Sequence, residues 1–262
     1  MTDLSPDRDT SDDFGSALSY HMDPDEFRRH GHALVDWLAR YMETVGERQV
    51  MPDVEPGDIA AAIPEMAPEK PEPFEDLIRD LDEVVMPGVT HWQSPAWFAY
   101  FPATTSGPSI LGELVSAGLG VQGMLWSTSP ACTEVEQAVT DQLARALGLD
   151  ETFTHDGGGG GSIQDSASSA ALVALTAALH RAAPDPDSGW RVRGVTGRER
   201  VYVTAETHSS LAKAVRVAGL GSDGLRTVPC TPGSRAMDPA ALSDALAADV
   251  AAGLVPVLVC AT

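Results

Sequence analysis

Five consecutive glycines followed by a cluster of serines form the stretch of this sequence that most directly suggests a ligand-binding site. They lie in DGGGGGSIQDSASS, residues 156–169, just before an alanine- and leucine-rich helical pattern. Glycine loses much conformational freedom on folding, so five in a row suggest either a flexible linker or a backbone that another group approaches closely. Because a well-patterned helix follows within a few residues, the second interpretation is favoured.

The start of this helix, predicted from Ala167 to Ala183, could bind an anion. Backbone N–H groups, the positive end of the helix dipole and the hydroxyls of Ser166 and Ser168 would all meet there. No lysine lies nearby to form a nucleotide-binding P-loop, so a single phosphate is the better fit. Serine capping of an ordinary helix explains the same residues and stays open.

A second candidate is His208, which follows the predicted strand RVYVTAE and precedes the predicted helix SSLAKAVRVAG. The carboxyl end of a strand is where α/β sheets bind their ligands. With serines beside it and a phosphate site in the same sheet, His208 is a candidate to stack on a flat ring. A surface or helix-capping histidine is the alternative.

The third candidate is the aromatic stretch HWQSPAWFAYFP, residues 91–102. Its prolines favour an extended path, which suits one wall of an apolar substrate pocket. Aromatic residues at this density are also typical of a hydrophobic core. The aromatic residues concerned are Trp92, Trp97, Phe98, Tyr100 and Phe101.

The elements that must position these residues follow from hydrophobic periodicity. Residues 1–20 are polar and acidic and predict a mobile tail. Residues 21–85 hold an amphipathic helix, a proline-rich excursion and a second helix from Phe74 to Val85, an arm that cannot bury its apolar faces alone. Residues 86–262 add helices and then alternate short strands with helices, which indicates an α/β domain with a parallel sheet.

Composition excludes several classes of protein. A net charge of -21 and only two lysines argue against nucleic-acid binding. Three scattered cysteines suggest neither a disulfide framework nor a metal site. No apolar run reaches the roughly 20 residues that cross a bilayer, and the acidic beginning is unlike a signal peptide, so we expect a cytoplasmic protein.

Four stretches, in this order and spacing, resemble the pyridoxal-phosphate-dependent group II amino-acid decarboxylases, in particular the aromatic-L-amino-acid decarboxylase branch. The resemblance implies an α/β large domain of the aspartate-aminotransferase-like fold (PLP fold type I) with an N-terminal helical arm. It also implies pyridoxal 5'-phosphate as cofactor, an aromatic amino-acid substrate and a homodimer. The matching stretches are WFAYFPATTSGPSILGEL, MLWSTSPACTEVE, GGGSIQDSASSAALVALTAA and THSSLAKAVRVAG.

The resemblance also assigns roles to individual residues. Ser166, Ala167 and Ser168 match the loop that holds the cofactor phosphate, and His208 matches the catalytic histidine stacked on the pyridine ring. Two positions depart from the pattern, since Ala103 stands where threonine is frequent and Met124 where an aromatic residue is frequent. The residues that match the substrate pocket are Trp92, Tyr100, Phe101, Pro102 and Met124.

The resemblance predicts a lysine that forms a Schiff base with the cofactor and an aspartate that pairs with its ring nitrogen. Neither Lys70 nor Lys213 occupies that lysine position, so we expect a truncated N-terminal portion that is inactive alone. We also expect Asp165, in the phosphate loop, to point away from the phosphate. The alternatives are a glutamate-type decarboxylase, an aldehyde-forming synthase on the same scaffold, and a non-catalytic truncated protein that serves in binding or dimerisation.

Overall fold

The computed structural model of the chain describes residues 22–101, 104–183, 185, 187 and 189–261. The chain divides into two compact units, one ending at Gly120 and the other beginning at Val121. The tail predicted for residues 1–20 lies outside the described residues. The boundary predicted after residue 85 stays a prediction.

The first unit is helical. Its longest helix begins with a capping box, in which the Asp23 carboxylate accepts the N–H groups of Asp25 and Glu26 at 2.8 Å. The third helix continues as a π-helical turn, Leu81–Val85, which confirms the helix predicted for residues 74–85. The helices are α1, Pro24–Thr44; α2, Asp58–Ala61; α3, Phe74–Asp80; and α4, Gly107–Leu119.

The apolar side of α1 is only partly covered within the first unit. Phe27, Val35 and Met42 are exposed. A groove of about 760 Å³ lies between α1, Phe74 and the start of α4. The expectation that this arm leaves apolar surface open therefore agrees with the structure.

The second unit alternates helices and strands as the periodicity predicts. Ser129 caps α5, Ser166 caps α6 and Asp238 caps α9, each by accepting a backbone N–H in the first helical turn. The elements are α5, Pro130–Ala146; α6, Ala167–Ala182; α7, Trp190–Arg193; β1, Glu199–Val203; α8, Ser209–Val217; β2, Leu225–Thr227; α9, Pro239–Ala251; and β3, Val255–Val259.

The three strands form one parallel sheet in the order β2-β1-β3. Tyr202 of the central strand pairs with Arg226 of β2 and with Val259 of β3. Because all three strands run in the same direction, their carboxyl ends meet at one edge. That edge is where an α/β sheet places a ligand.

The core of the second unit lies between β1 and two helices. Val201 and Val203 point to one face of the sheet. Alternation along the strand sends Tyr202 to the opposite face, where it meets α9. Each large apolar side chain buried in this way contributes about 1.5–3 kcal/mol. The helical residues packed on the first face are Leu175 and Leu179 of α6 and Leu211, Ala214 and Val215 of α8.

The composition raised expectations about cysteines, metal sites and membrane spans, and the described residues bear on each. The three cysteines are free thiols and half-buried. Within ranges 22–101 and 104–183 and the described residues beyond, no group of three His, Cys, Asp or Glu side chains could hold a metal ion. No helix in the described part of the chain is long and apolar enough to cross a membrane.

Candidate cofactor site

The glycine block is packed against its own chain. A Cβ built on Gly157 would lie 1.9 Å from the carbonyl oxygen of Glu151, and one built on Gly161 would lie 2.7 Å from Cβ of Thr140. Either contact is far inside van der Waals distance, so these positions require glycine. The close approach inferred from the sequence is therefore made by the preceding turn and by α5.

Hydrogen bonds to α5 hold this loop in place. His155 Nδ1 lies 2.7 Å from Oδ1 of Asp141, and the His155 backbone N–H donates to the same oxygen at 3.1 Å. The hydrogen bond from the His155 side chain holds the pKa of Asp141 below its usual value. The N–H of Ile163 donates to Oε1 of Glu136 at 2.8 Å. The block is thus a fixed support for the start of α6.

The predicted phosphate-binding residues form the first turn of α6. Oγ of Ser166 accepts the N–H of Ser169 at 3.2 Å, so this serine does cap the helix. The N–H groups of Ala167 and Ser168 belong to the first turn, where a helix offers them no acceptor of its own. Residues 166–168 are exposed. Capping and anion binding are therefore compatible here.

Asp165 carries a negative charge next to these donors. A hydrogen bond with the Ser169 hydroxyl lowers the pKa of Asp165, and one with the Ser166 hydroxyl lowers it further. The expectation that its side chain points away from the phosphate stays a prediction. The group stays ionised at neutral pH and would repel a bound phosphate.

His208 caps α8 and leaves its ring accessible. Its Nδ1 accepts the backbone N–H of Ser210 at 3.2 Å and lies 3.0 Å from the Ser210 hydroxyl. These contacts fix the orientation of the imidazole, while the residue itself is exposed. The position five residues beyond Val203 places His208 after the carboxyl end of β1. Both sequence interpretations of this residue are thus compatible.

One cavity brings the histidine and α6 together. It has a volume of about 330 Å³. Its walls include His208, Ala171 and Ala174 of α6, and residues 258–261 at and just beyond the end of β3. Ala171 lies about one helical turn beyond the predicted phosphate-binding residues. A flat ring beside His208 with an anionic arm toward the start of α6 fits this arrangement of donors.

The predicted pocket aromatics lie in the first unit. Trp92 stacks on Trp97, with ring centroids 4.6 Å apart, and on Tyr100 at 6.0 Å. Tyr100 is 83% exposed and Phe101 98% exposed, so neither is a core residue within this chain. Pro102, also predicted for the wall, lies outside the described residues, as does Ala103.

Met124 lies in the second unit, in an exposed turn before α5. The Thr128 hydroxyl donates to the carbonyl oxygen of Gln122 at 2.8 Å and closes this turn. The Trp126 indole N–H donates to Oε1 of Glu134 at 2.8 Å. The turn is therefore anchored, while Met124 itself is 73% exposed.

Sequence reasoning missed two pairs that anchor these segments. One is His155 with Asp141, described above. The other is His91 with Tyr41, whose Nδ1 and hydroxyl lie 3.0 Å apart across a separation of 50 residues. No local spacing rule identifies partners this far apart. The only sequence signal is a histidine next to a glycine block in one case and next to a tryptophan in the other.

The carboxyl edge of the parallel sheet presents a helix start, a serine cluster and an accessible imidazole. This arrangement is typical of a cofactor-binding α/β enzyme. The pyridoxal-dependent decarboxylase conserved domain matches residues 56–262. The chain belongs to this family of pyridoxal-phosphate-dependent carboxy-lyases. The predicted family, cofactor class and type I fold are therefore confirmed.

Individual relatives agree with this assignment. Aromatic-L-amino-acid decarboxylase of Rattus norvegicus is 42% identical over 250 residues, which cover 92% of this chain and 50% of the relative. Phenylacetaldehyde synthase of Arabidopsis thaliana is 41% identical over 243 residues, covering 92% of this chain and 48% of the relative. The chain thus spans about half the length of the curated relatives it matches.

A solved structure shows the same fold. Catharanthus roseus tryptophan decarboxylase in complex with L-tryptophan superposes with a TM-score of 0.81 at 37% sequence identity. The match covers 91% of this chain and 49% of that chain. The mixed α/β architecture and parallel sheet are therefore those of a pyridoxal-phosphate decarboxylase.

Proposed function

We propose that this chain forms the phosphate- and ring-binding part of the active site of an enzyme that decarboxylates aromatic L-amino acids to amines and CO2. The observation that carries the proposal is the cavity shared by His208 and α6 at the carboxyl edge of the sheet. Both the ring and the phosphate of one cofactor would lie within reach of the same short segments.

Different residues of the chain would bind the phosphate and the ring of the cofactor. The N–H groups of Ala167 and Ser168 and the hydroxyls of Ser166 and Ser168 would hold the phosphate. His208, whose orientation is fixed through Ser210, would stack on the pyridine ring. When bound, pyridoxal phosphate supplies a ring that accepts the electron pair left behind when CO2 departs.

The pocket aromatics support an aromatic substrate. Trp92, Tyr100 and Phe101 of the first unit and Met124 of the second carry no charge, so none of them offers a counter-ion to an acidic side chain. Exposed aromatic rings provide flat apolar surfaces for another ring. The match to an enzyme in complex with L-tryptophan supports the same substrate class.

An aldehyde-forming synthase is the second candidate. The observation in its favour is that phenylacetaldehyde synthase is as similar to this chain as the decarboxylase is, at 41% and 42% identity. Both functions begin with binding an aromatic amino acid at the same cofactor. They differ in product, so a product assay separates them.

We further propose a cytoplasmic homodimer in which the arm of the first unit and the turn of Met124 contact the second subunit. The exposed apolar residues of α1 and the groove beside them support this. Lys70 and Lys213 are both exposed. We propose that neither binds the cofactor, that the lysine lies in a part of the protein outside these 262 residues, and that the chain alone is inactive.

The experiment is a product assay on the intact protein that contains this chain. Purified enzyme with pyridoxal phosphate is offered tryptophan, tyrosine, phenylalanine and glutamate, and CO2, amine and aldehyde are measured. We expect amine and CO2 from the aromatic substrates and a loss of kcat/KM of about a hundredfold or more in His208→Ala. Aldehyde instead of amine would favour the synthase, and turnover of glutamate alone would contradict the proposal.

A further inference from the structure

The aromatic stack of the first unit, Trp92, Trp97 and Tyr100, is built on a segment without regular secondary structure. The Trp92 and Trp97 rings are inclined by 28°, and those of Trp92 and Tyr100 by 14°. Tyr100 has a φ of 50°, which a bulky residue seldom adopts. A segment with no strand or helix hydrogen bonds must be held in this geometry by other contacts.

His91, which directly precedes the stack, supplies such contacts. It is buried, with 5% of its surface exposed. Its Nδ1 lies 3.0 Å from the hydroxyl of Tyr41 on α1, and its backbone N–H donates to the carbonyl oxygen of Val50 at 2.9 Å. Burial, and next the charge of Arg48, lower the pKa of His91, so the imidazole is neutral near pH 7. The unprotonated nitrogen of a neutral ring can accept a hydrogen bond from the Tyr41 hydroxyl.

A chain of hydrogen bonds leads from His91 to the far side of the stack. The carbonyl oxygen of His91 accepts the N–H of Ser94 at 3.0 Å, and the carbonyl oxygen of Ser94 accepts the N–H of Trp97 at 3.0 Å. Ser94 is itself buried. His91 is therefore bonded to α1 on one side and, through Ser94, to the backbone of Trp97 on the other.

Trp97 carries an unpaired polar group within this stack. Its indole Nε1 is buried and has no hydrogen-bond partner among the residues that the structure describes. Burying an unpaired N–H opposes folding. The contacts that fix His91 therefore have to hold an indole in a position that carries this penalty.

We propose that His91 and Tyr41 are positioning residues that set the geometry of the aromatic stack and, through it, the fit of the substrate side chain. The second half rests on the proposed function, in which the stack is part of the substrate wall. The first half stands on the hydrogen bonds alone. Small displacements of a pocket wall alter binding strongly, so residues that hold such a wall influence substrate affinity.

The test uses the intact, pyridoxal-phosphate-loaded protein and three variants. Tyr41→Phe removes only the hydroxyl. His91→Leu removes the imidazole, whereas His91→Asn keeps a polar group near the place of Nδ1. The matched control is Thr44→Val, since the Thr44 hydroxyl donates to the carbonyl oxygen of Arg40 within α1.

The readout is the pair of far-ultraviolet circular dichroism bands of opposite sign that two stacked indoles produce, assigned by its loss in Trp97→Phe. We expect this signal to fall by about half or more in Tyr41→Phe and His91→Leu, to recover in His91→Asn and to be unchanged in Thr44→Val. KM for the aromatic substrate should rise about tenfold, with kcat within about twofold.

The outcomes separate the two halves of the proposal. An unchanged signal in Tyr41→Phe, which alters a single oxygen atom and keeps the fold, overturns the inference even if His91→Leu does not fold. A lost signal with unchanged KM supports the positioning role and contradicts the place of the stack in the substrate wall. A raised KM in Thr44→Val to the same extent would also overturn the inference.

Discussion

The Tyr202 hydroxyl on β1 donates a 2.9 Å hydrogen bond to Oδ2 of Asp249 on α9. The same carboxylate accepts two bonds from the Arg226 guanidinium, at 3.1 Å from Nε and 2.9 Å from Nη2. Tyr202 and Asp249 are buried. These contacts join the central strand, its neighbour β2 and α9 on the sheet face opposite to the main core.

This pairing makes stability depend on pH in the alkaline range. Burial, and next the hydrogen bond to Asp249, raise the pKa of Tyr202 from 10.0 to about 12. Because the folded pKa lies above the unfolded one, the contribution is fully present below pH 10 and is lost as pH rises toward 12. Two pKa units correspond to about 3 kcal/mol.

The measurement is urea unfolding of the intact protein between pH 8 and about pH 11, for the parent and Tyr202→Phe. We expect Tyr202→Phe to be about 1 kcal/mol less stable at pH 8 and to lose this disadvantage as pH rises. Tyr100→Phe is the matched control because Tyr100 is exposed. A difference between parent and Tyr202→Phe that stays constant with pH would contradict the account.

The packing of the glycine block predicts that neighbouring glycines differ in how well they tolerate substitution. A Cβ at Gly157 would lie 1.9 Å from the Glu151 carbonyl oxygen, whereas Gly158, with φ of 85°, has nothing within 4 Å of its added Cβ. We expect Gly157→Ala to destabilise the protein by about 2 kcal/mol or more. Gly158→Asn should have an effect below about 1 kcal/mol, since asparagine tolerates positive φ. Equal effects in urea unfolding would show that the loop is not packed as described.

Much of the second unit could be predicted from its sequence, for reasons that are local. The periodicity of Leu172, Leu175 and Leu179 fixes α6 and its buried face, and β-branched residues identify β1. His208 was found because its place after a strand is a property of chain order. The packing of Gly161 on Thr140 and of His91 on Tyr41 could not be predicted, because such partners meet only when separate segments have folded.

Asp165 should weaken cofactor binding by charge repulsion. It directly precedes the residue that caps α6, and its lowered pKa keeps the carboxylate ionised at neutral pH. Asp165→Asn should therefore bind pyridoxal phosphate about fivefold more tightly. Pyridoxal, which lacks the phosphate, should bind as before. Asp156→Asn removes the same charge from the far end of the glycine block, and an equal gain there would show that Asp165 has no specific place beside the phosphate.

The central claim is that the first turn of α6 binds the cofactor phosphate. The most direct measurement compares the affinities of the intact protein for pyridoxal phosphate and for pyridoxal in the parent, Ser168→Asp and the control Ser162→Asp. A carboxylate in the first turn should weaken pyridoxal phosphate binding about a hundredfold in Ser168→Asp alone, with pyridoxal changed by less than about threefold. Equal losses for the two ligands, or the same loss in Ser162→Asp, would contradict the claim.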